Sequence, residues 1–177
     1  TQLSTSIYLQ SLPALVDLLD TNPATVQLTF TVYMLGAAVS QLVVGPLSDR
    51  FGRRPVLLVG LGVYIVASIA AALSSSVEAL IAARLLQSIG ATTGPVIGRA
   101  IVRDCFDRAH GARVMANVGM ALAISPAVAP LIGAYVHEAL GWRANFGLVA
   151  LFGVAVAVLS ALYLAETNRN PQVGAGV

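Results

Sequence analysis

The sequence predicts an all-α integral membrane protein whose six transmembrane helices form an inverted three-plus-three repeat, and three observations lead there. First, the chain is 57% hydrophobic and 10% charged, whereas soluble domains carry about 25% charged residues and a smaller apolar share. So few charges cannot cover so much apolar side chain, which must therefore meet lipid. Second, uncharged runs long enough to cross a bilayer alternate with short charged junctions. Third, Asp49-x-x-Gly52-x-Arg54 recurs 89 residues on as Glu138-x-x-Gly141-x-Arg143, with Gly45 or Ala134 four before each acid. Three spans separate the copies, which places them on opposite membrane faces, as an inverted repeat requires.

The first run, Thr1 to Val16, is uncharged but shorter than the ~20 residues a spanning helix needs. It reads as a truncated first helix that begins upstream. It has neither a basic flank nor a small-residue cleavage pattern, so it is not a signal peptide. The second run, Thr21 to Ser48, opens with Asn22-Pro23, a helix-start signal. In it Gln27, Thr31, Met34, Ala38, Gln41 and Gly45 share one helical face, a polar or small stripe expected to face other helices or a cavity and not lipid. Gly45 to Arg54 then forms a tight charged hairpin at the membrane surface.

Pro55 to Val77 is the third run. The fourth, Ala79 to Gly98, contains Arg84, the only charge well inside any run, and Gly90, Gly94 and Gly98 at the four-residue spacing that lets helix backbones approach. Arg99 to Arg113 is a charged connection. Val114 to Val136, the fifth run, carries Pro126 and Pro130, which remove the usual donors to the carbonyls of Leu122 and Pro126 and predict a bend. Glu138 to Arg143 is a short loop, and Ala144 to Ala165 is the sixth run. One domain of 177 residues is expected, its first three-helix unit covering about 1–90 and its second the remainder.

All ten basic residues are arginines, placed almost entirely at the ends of runs. Such a distribution fixes topology and excludes the one-faced basic patch of a nucleic-acid binder. If the runs alternate, Arg50, Arg53, Arg54, Arg99, Arg103, Arg108, Arg113 and Arg169 share one side, so loops 45–55 and 99–113 are expected in the cytoplasm. Cys105 has no cysteine partner, and His110 and His137 have no second ligand at metal spacing, so neither a disulfide nor a metal site is expected. No nucleophile arrangement and no phosphate-binding glycine-lysine loop is present, which argues against an enzyme, a cofactor and ATP-driven transport.

Several stretches carry a resemblance. Gly45-Pro-Leu-Ser-Asp49-Arg50-Phe-Gly52-Arg53-Arg54 resembles the loop 2–3 signature of the major facilitator superfamily, and Arg84-Leu-Leu-Gln87-Ser-Ile-Gly90 its fourth-helix signature. Ala129-Pro130-Leu-Ile-Gly133 resembles the fifth-helix pattern of its drug antiporters, with Ala129 where glycine is usual. With Tyr8-Leu9, Arg99-Ala-Ile-Val-Arg103-Asp104, Gly141-Trp142-Arg143 and Glu166-Thr167, the chain is similar to bicyclomycin-resistance and chloramphenicol-efflux antiporters. Such transporters have twelve helices, and this chain matches the N-terminal six. The resemblance implies a partner: a C-terminal six-helix half, or a second chain.

The resemblance also implies roles. Gly45, Asp49, Arg50, Gly52, Arg53, Arg54, Arg103 and Asp104 would form a cytoplasmic gate, in which Asp49 holds Arg53 or Arg103 or caps a helix of the missing half; the plainer reading is that these charges only fix topology. Arg84 would couple proton entry to substrate release, or else snorkel outward as an anchor. Tyr8, Gln10, Gln41 and Gln87 would line the substrate cavity or serve packing. Pro126, Pro130 and Gly133 would form the antiporter bend or fit a crowded interface. Where relatives carry a first-helix aspartate this chain has Ser6, so the proton-carrying acid is left open. The expected function is export of small amphipathic drug-like molecules in exchange for protons, by alternating access, in a bacterial inner membrane. The alternatives are a metabolite carrier of the same superfamily and a six-helix scaffold or fragment.

Overall fold

Pro23 can open a helix because its missing N–H is one that the first turn leaves unpaired anyway, and Asn22 completes the start by accepting from Thr25 N at 2.8 Å. This begins α1 (Pro23–Phe51) in a computed structural model that describes residues 21–168. Then come α2 (Arg53–Ala72), α3 (Val77–Cys105), α4 (Arg108–Leu140) and α5 (Trp142–Tyr163). Among the described residues these five helices are all long and apolar enough to cross a membrane. The first expected span, with Ser6, Tyr8 and Gln10, lies outside the described residues.

The junctions are tighter than the charge pattern suggests. The hairpin expected over 45–54 is not a loop: α1 runs through Asp49 and Arg50 to Phe51, and Gly52 alone separates it from α2. The connection expected over 99–113 is mostly helix too, broken only at Phe106 and Asp107, and Gly141 alone divides α4 from α5. Charge marks where a helix leaves the hydrocarbon, not where it ends. A 29-residue helix such as α1 is about 43 Å long against a ~30 Å core, so its charged last turns reach the headgroups.

Gly52 (φ 102°, ψ 153°) and Gly141 (φ 82°, ψ 170°) adopt nearly the same positive-φ conformation, one that strains any residue with a Cβ. Two residues after each glycine an arginine crosses to the other helix of the pair. Arg54 at the start of α2 donates to Ala161 O near the end of α5 at 2.8 Å, and Arg143 at the start of α5 donates to Ser74 O just past α2 at 3.1 Å. This exchange between antiparallel helices is what the inverted sequence repeat predicts. Residue 90, the approximate seam expected between the units, lies inside α3, and the nearest break between helices is residues 73–76.

The core is stacked in three layers along the bundle. Val26, Ala71, Leu80, Ala83, Trp142 and Phe146 fill one end. Tyr33, Tyr64, Ala91, Ala129 and Val149 fill the middle. Val44, Val56, Leu57, Leu61 and Ile97 fill the arginine-rich end. The most extensive interfaces are α2 with α3, α1 with α3, and α2 with α5.

Of the glycine ladder on α3, only Gly90 makes the expected close approach among the described residues. A Cβ there would sit 2.5 Å from Gly60 O and from Tyr64 N, whereas Gly94 and Gly98 face open space. Gly60 on α2 supplies the matching gap, its missing side chain filled by Thr93.

Candidate functional site

Arg84 lies two turns into α3, completely buried with Gln87, Ser68 and Tyr33. Snorkelling is therefore not what it does. Its Nη1 donates to Gln87 Oε1 at 2.6 Å, Gln87 Nε2 donates to Ser68 Oγ at 2.7 Å, and Ser68 Oγ donates to Tyr64 O at 2.7 Å. The guanidinium carbon lies 4.1 Å from the Tyr33 ring centre and 5.9 Å from that of Phe146. A guanidinium inside a span costs up to about 3 kcal/mol by insertion scales. A desolvated cation–π contact returns about 2 kcal/mol, and a hydrogen bond to a charged group about 1.5–3. The cage formed by α1, α2, α3 and α5 is thus enough to hold a charge inside the bundle.

At the arginine-rich end the structure gathers most of the expected gate residues. Arg53, its side chain 6% exposed, pairs with Asp49 one turn earlier and with Asp104 Oδ2 at 3.1 Å. Its Nη1 donates to Ser48 Oγ at 2.6 Å, and that hydroxyl donates to Gly45 O at 2.8 Å. Of the two arginines expected to partner Asp49, both lie within the described residues, and the ion pair is with Arg53, not Arg103.

Glu166, beyond α5, completes the junction. Its Oε1 accepts from Arg53 N at 2.9 Å and its Oε2 from Arg54 N at 3.1 Å, capping α2 from a distant part of the chain. Asn168 adds a donation from Nδ2 to Asp49 O at 2.8 Å. Burial alone would raise the Glu166 carboxyl, but the N–H groups of Asn168, Arg53, Arg54 and Thr167 outweigh it and hold it below its ordinary value. A Cβ on Gly52 would sit 2.6 Å from Glu166 Oε2, so this glycine serves both the turn and the approach.

Other expected residues fall outside these two clusters. Arg50 is exposed and lies over Phe51, and Arg103, 73% exposed, comes only within 3.9 Å of Asp104. A Cβ on Gly45 would meet nothing within 4 Å, so no described backbone approaches it. Gln41, with Gln27, Thr31, Met34 and Ala38, is exposed on α1; the stripe packs on none of the described helices, which instead cover Val26, Tyr33, Ala37 and Val44. Pro126 and Pro130 lie inside an unbroken α4, in which Ala129 and Gly133 alone are buried. Asn145 of α5 donates to Gly133 O at 3.2 Å, which makes this segment the α4–α5 contact.

Sequence reasoning missed Ser48, Ser68, Tyr33 and the capping role of Glu166. For Glu166 a signal existed, an acid just past the last apolar run at the arginine-rich end. A serine or tyrosine inside an apolar run carries none.

Comparison with known proteins supplies the context. The chain is 42% identical over 173 residues to a chloramphenicol resistance protein of Pseudomonas aeruginosa, covering 97% of this chain and 41% of that protein. It is 34% identical over 167 residues to multidrug resistance protein D of Escherichia coli K12, covering 94% and 42%. It thus spans about two fifths of the length of these relatives. Among solved structures, the human organic anion transporter MFSD10 (TETRAN) superposes with a TM-score of 0.72 at 23% identity, over 99% of this chain and 48% of that one. A peptide transporter, POT, superposes with a TM-score of 0.76 at 20% identity, over 97% and 39%. The family model described as Major Facilitator Superfamily matches residues 1–176, and the chain belongs to that superfamily of membrane transporters.

Proposed function

We propose that the chain is the N-terminal half of a secondary active exporter that moves small, amphipathic, drug-like molecules outward in exchange for protons by alternating access. The observation that carries this reading is the fully buried Arg84 in its Tyr33–Gln87–Ser68 cage. A permanent charge kept inside a span responds strongly to any nearby carboxylate that gains or loses a proton, because little water screens it. The chloramphenicol and multidrug names of the relatives support the drug-like substrate class.

In this reading the Asp49–Arg53–Asp104 cluster with Glu166 is the cytoplasmic gate latch, at the arginine-rich end that the positive-inside rule assigns to the cytoplasm of a bacterial inner membrane. Gln87, fully buried, holds Arg84 and does not line an open cavity; the exposed stripe through Gln41 contributes to a cavity that a C-terminal six-helix half completes, and Pro126, Pro130 and Gly133 shape the antiport helix. Tyr8 and Gln10 belong to the same proposed cavity.

The test is efflux of chloramphenicol and a cationic dye from cells expressing the full-length gene, with and without a proton uncoupler. Export should stop when the gradient collapses, and Arg84→Lys should fall at least about tenfold while the protein stays in the membrane, because a compact ammonium does not reproduce both the guanidinium contact with Tyr33 and the bond to Gln87. Export that continues without a gradient would overturn the antiport reading.

A further inference from the structure

At the junction of α3 and α4 lies a second basic feature, which the latch does not use. Arg99 closes the uncharged stretch that starts at Leu85, Arg103 follows about one turn later, and Arg108 opens α4. The three arginines rim a hollow of about 480 Å³ whose floor includes Val102, Phe106 and Met115. Asp107 also lines it, but its carboxylate is engaged, accepting from His110 N at 2.9 Å and lying 2.6 Å from His110 Nδ1. Among the described residues Arg99 and Arg108 make no ion pair, and Arg103 reaches only to 3.9 Å from Asp104.

We propose that this hollow binds the headgroup of an anionic phospholipid, with the phosphate between the guanidinium groups and the glycerol and first acyl carbons against Phe106 and Met115. The positive-inside rule explains the sign of these charges but not their gathering around an apolar floor. Guanidinium groups bind phosphate through paired N–H donors, and basic hollows between helices at this depth suit acidic lipid headgroups. Arg99 marks the depth, since it is the first charge after the apolar stretch and so stands at headgroup level. The inference rests on the topology proposed above only for the choice of leaflet, and its readout is lipid binding, not transport.

The test uses the intact protein, purified in mild detergent and examined by native mass spectrometry after incubation with phosphatidylglycerol or phosphatidylcholine. The wild-type protein should retain phosphatidylglycerol preferentially, and Arg99→Gln and Arg108→Gln should each weaken retention about fivefold, the effect of losing one interfacial charge. Arg108→Lys should keep most of it. Millimolar glycerol phosphate should fail to displace the lipid, because it lacks the acyl part; displacement would show a free-phosphate site instead. Equal retention of the two lipids by wild type, a measurement that requires no variant to fold, would overturn the proposal, as would glutamine variants that bind as well as wild type.

Discussion

Arg53 has two acidic partners in different environments. The Asp49 side chain is 57% exposed and that of Asp104 22%, while both face the same enclosed guanidinium. Water screens the first pair and largely spares the second, so their contributions differ. Asp104→Asn should lower stability by about 1–3 kcal/mol and Asp49→Asn by under about 1 kcal/mol, read as thermal unfolding midpoints of the purified protein. Equal losses would mean that Arg53 does not discriminate between them. Glu166 adds a pH dependence of defined sign. Its carboxyl is held below its ordinary value, so the clasp is fully present above about pH 4.3, the usual glutamate pKa. It is lost as pH falls through the lower folded value. The wild-type midpoint should therefore exceed that of Glu166→Gln at pH 7, and the difference should shrink as the pH drops below about 4; a difference constant with pH would show that the charge is irrelevant to the cap. The Asp49–Arg53 pair was legible in residue types and spacing, whereas the wider set of charged residues was implied by the resemblance. What stayed hidden, Ser48 and the reach of Glu166, depends on which helix ends meet, and no local pattern encodes that.

Glycines show at the level of elements how far a pattern can be read. The ladder Gly90, Gly94, Gly98 implied a continuous close contact, yet α2 offers its own gap only at Gly60, opposite Gly90. A small residue permits approach; the partner decides whether it happens. Gly90→Ala should destabilise by about 1–3 kcal/mol, because the added methyl meets backbone atoms that cannot rotate away, and this exceeds the ~1 kcal/mol that alanine gains over glycine in a helix. Gly94→Ala should be neutral or stabilise by up to about 1 kcal/mol, since nothing lies within 4 Å of its Cβ. Thermal unfolding of the two variants side by side checks both signs. The helices themselves were readable because uncharged length is a strong signal in lipid. Their ends were not, because charged residues at headgroup depth continue a helix as readily as they end it; the breaks in the charged stretches fall at the positive-φ residues Gly52 and Gly141 and at Phe106–Asp107.

The whole molecule is asymmetric where its repeat is symmetric. Arg53 is matched across the membrane by Trp142, so the counterpart junction has an edge-on Trp142–Phe146 contact at 6.0 Å in place of an ion-pair cluster, and among the described residues Glu138 makes no ion pair. One end of the bundle is closed by charge and the other by apolar packing, so salt and pH act mainly on the arginine-rich end. The remaining question at this scale is what the exposed stripe on α1 meets. Lipid and a water-filled cavity leave the same apolar-looking exposure but differ in whether a thiol can ionise. A cysteine reacts as its thiolate, which forms in water and not in hydrocarbon. In a Cys105→Ser background, which removes the native exposed thiol, Thr31→Cys and Gln41→Cys should react with a membrane-impermeant maleimide. Leu42→Cys, at a position 77% exposed on the same helix, should react at least about tenfold more slowly if it faces lipid. If the stripe lines the proposed cavity, transport substrate should slow labelling at Gln41→Cys and leave Leu42→Cys unchanged. Equal, slow labelling at all three positions in the full-length protein would place the stripe in lipid or in a dry interface and remove Gln41 from the cavity.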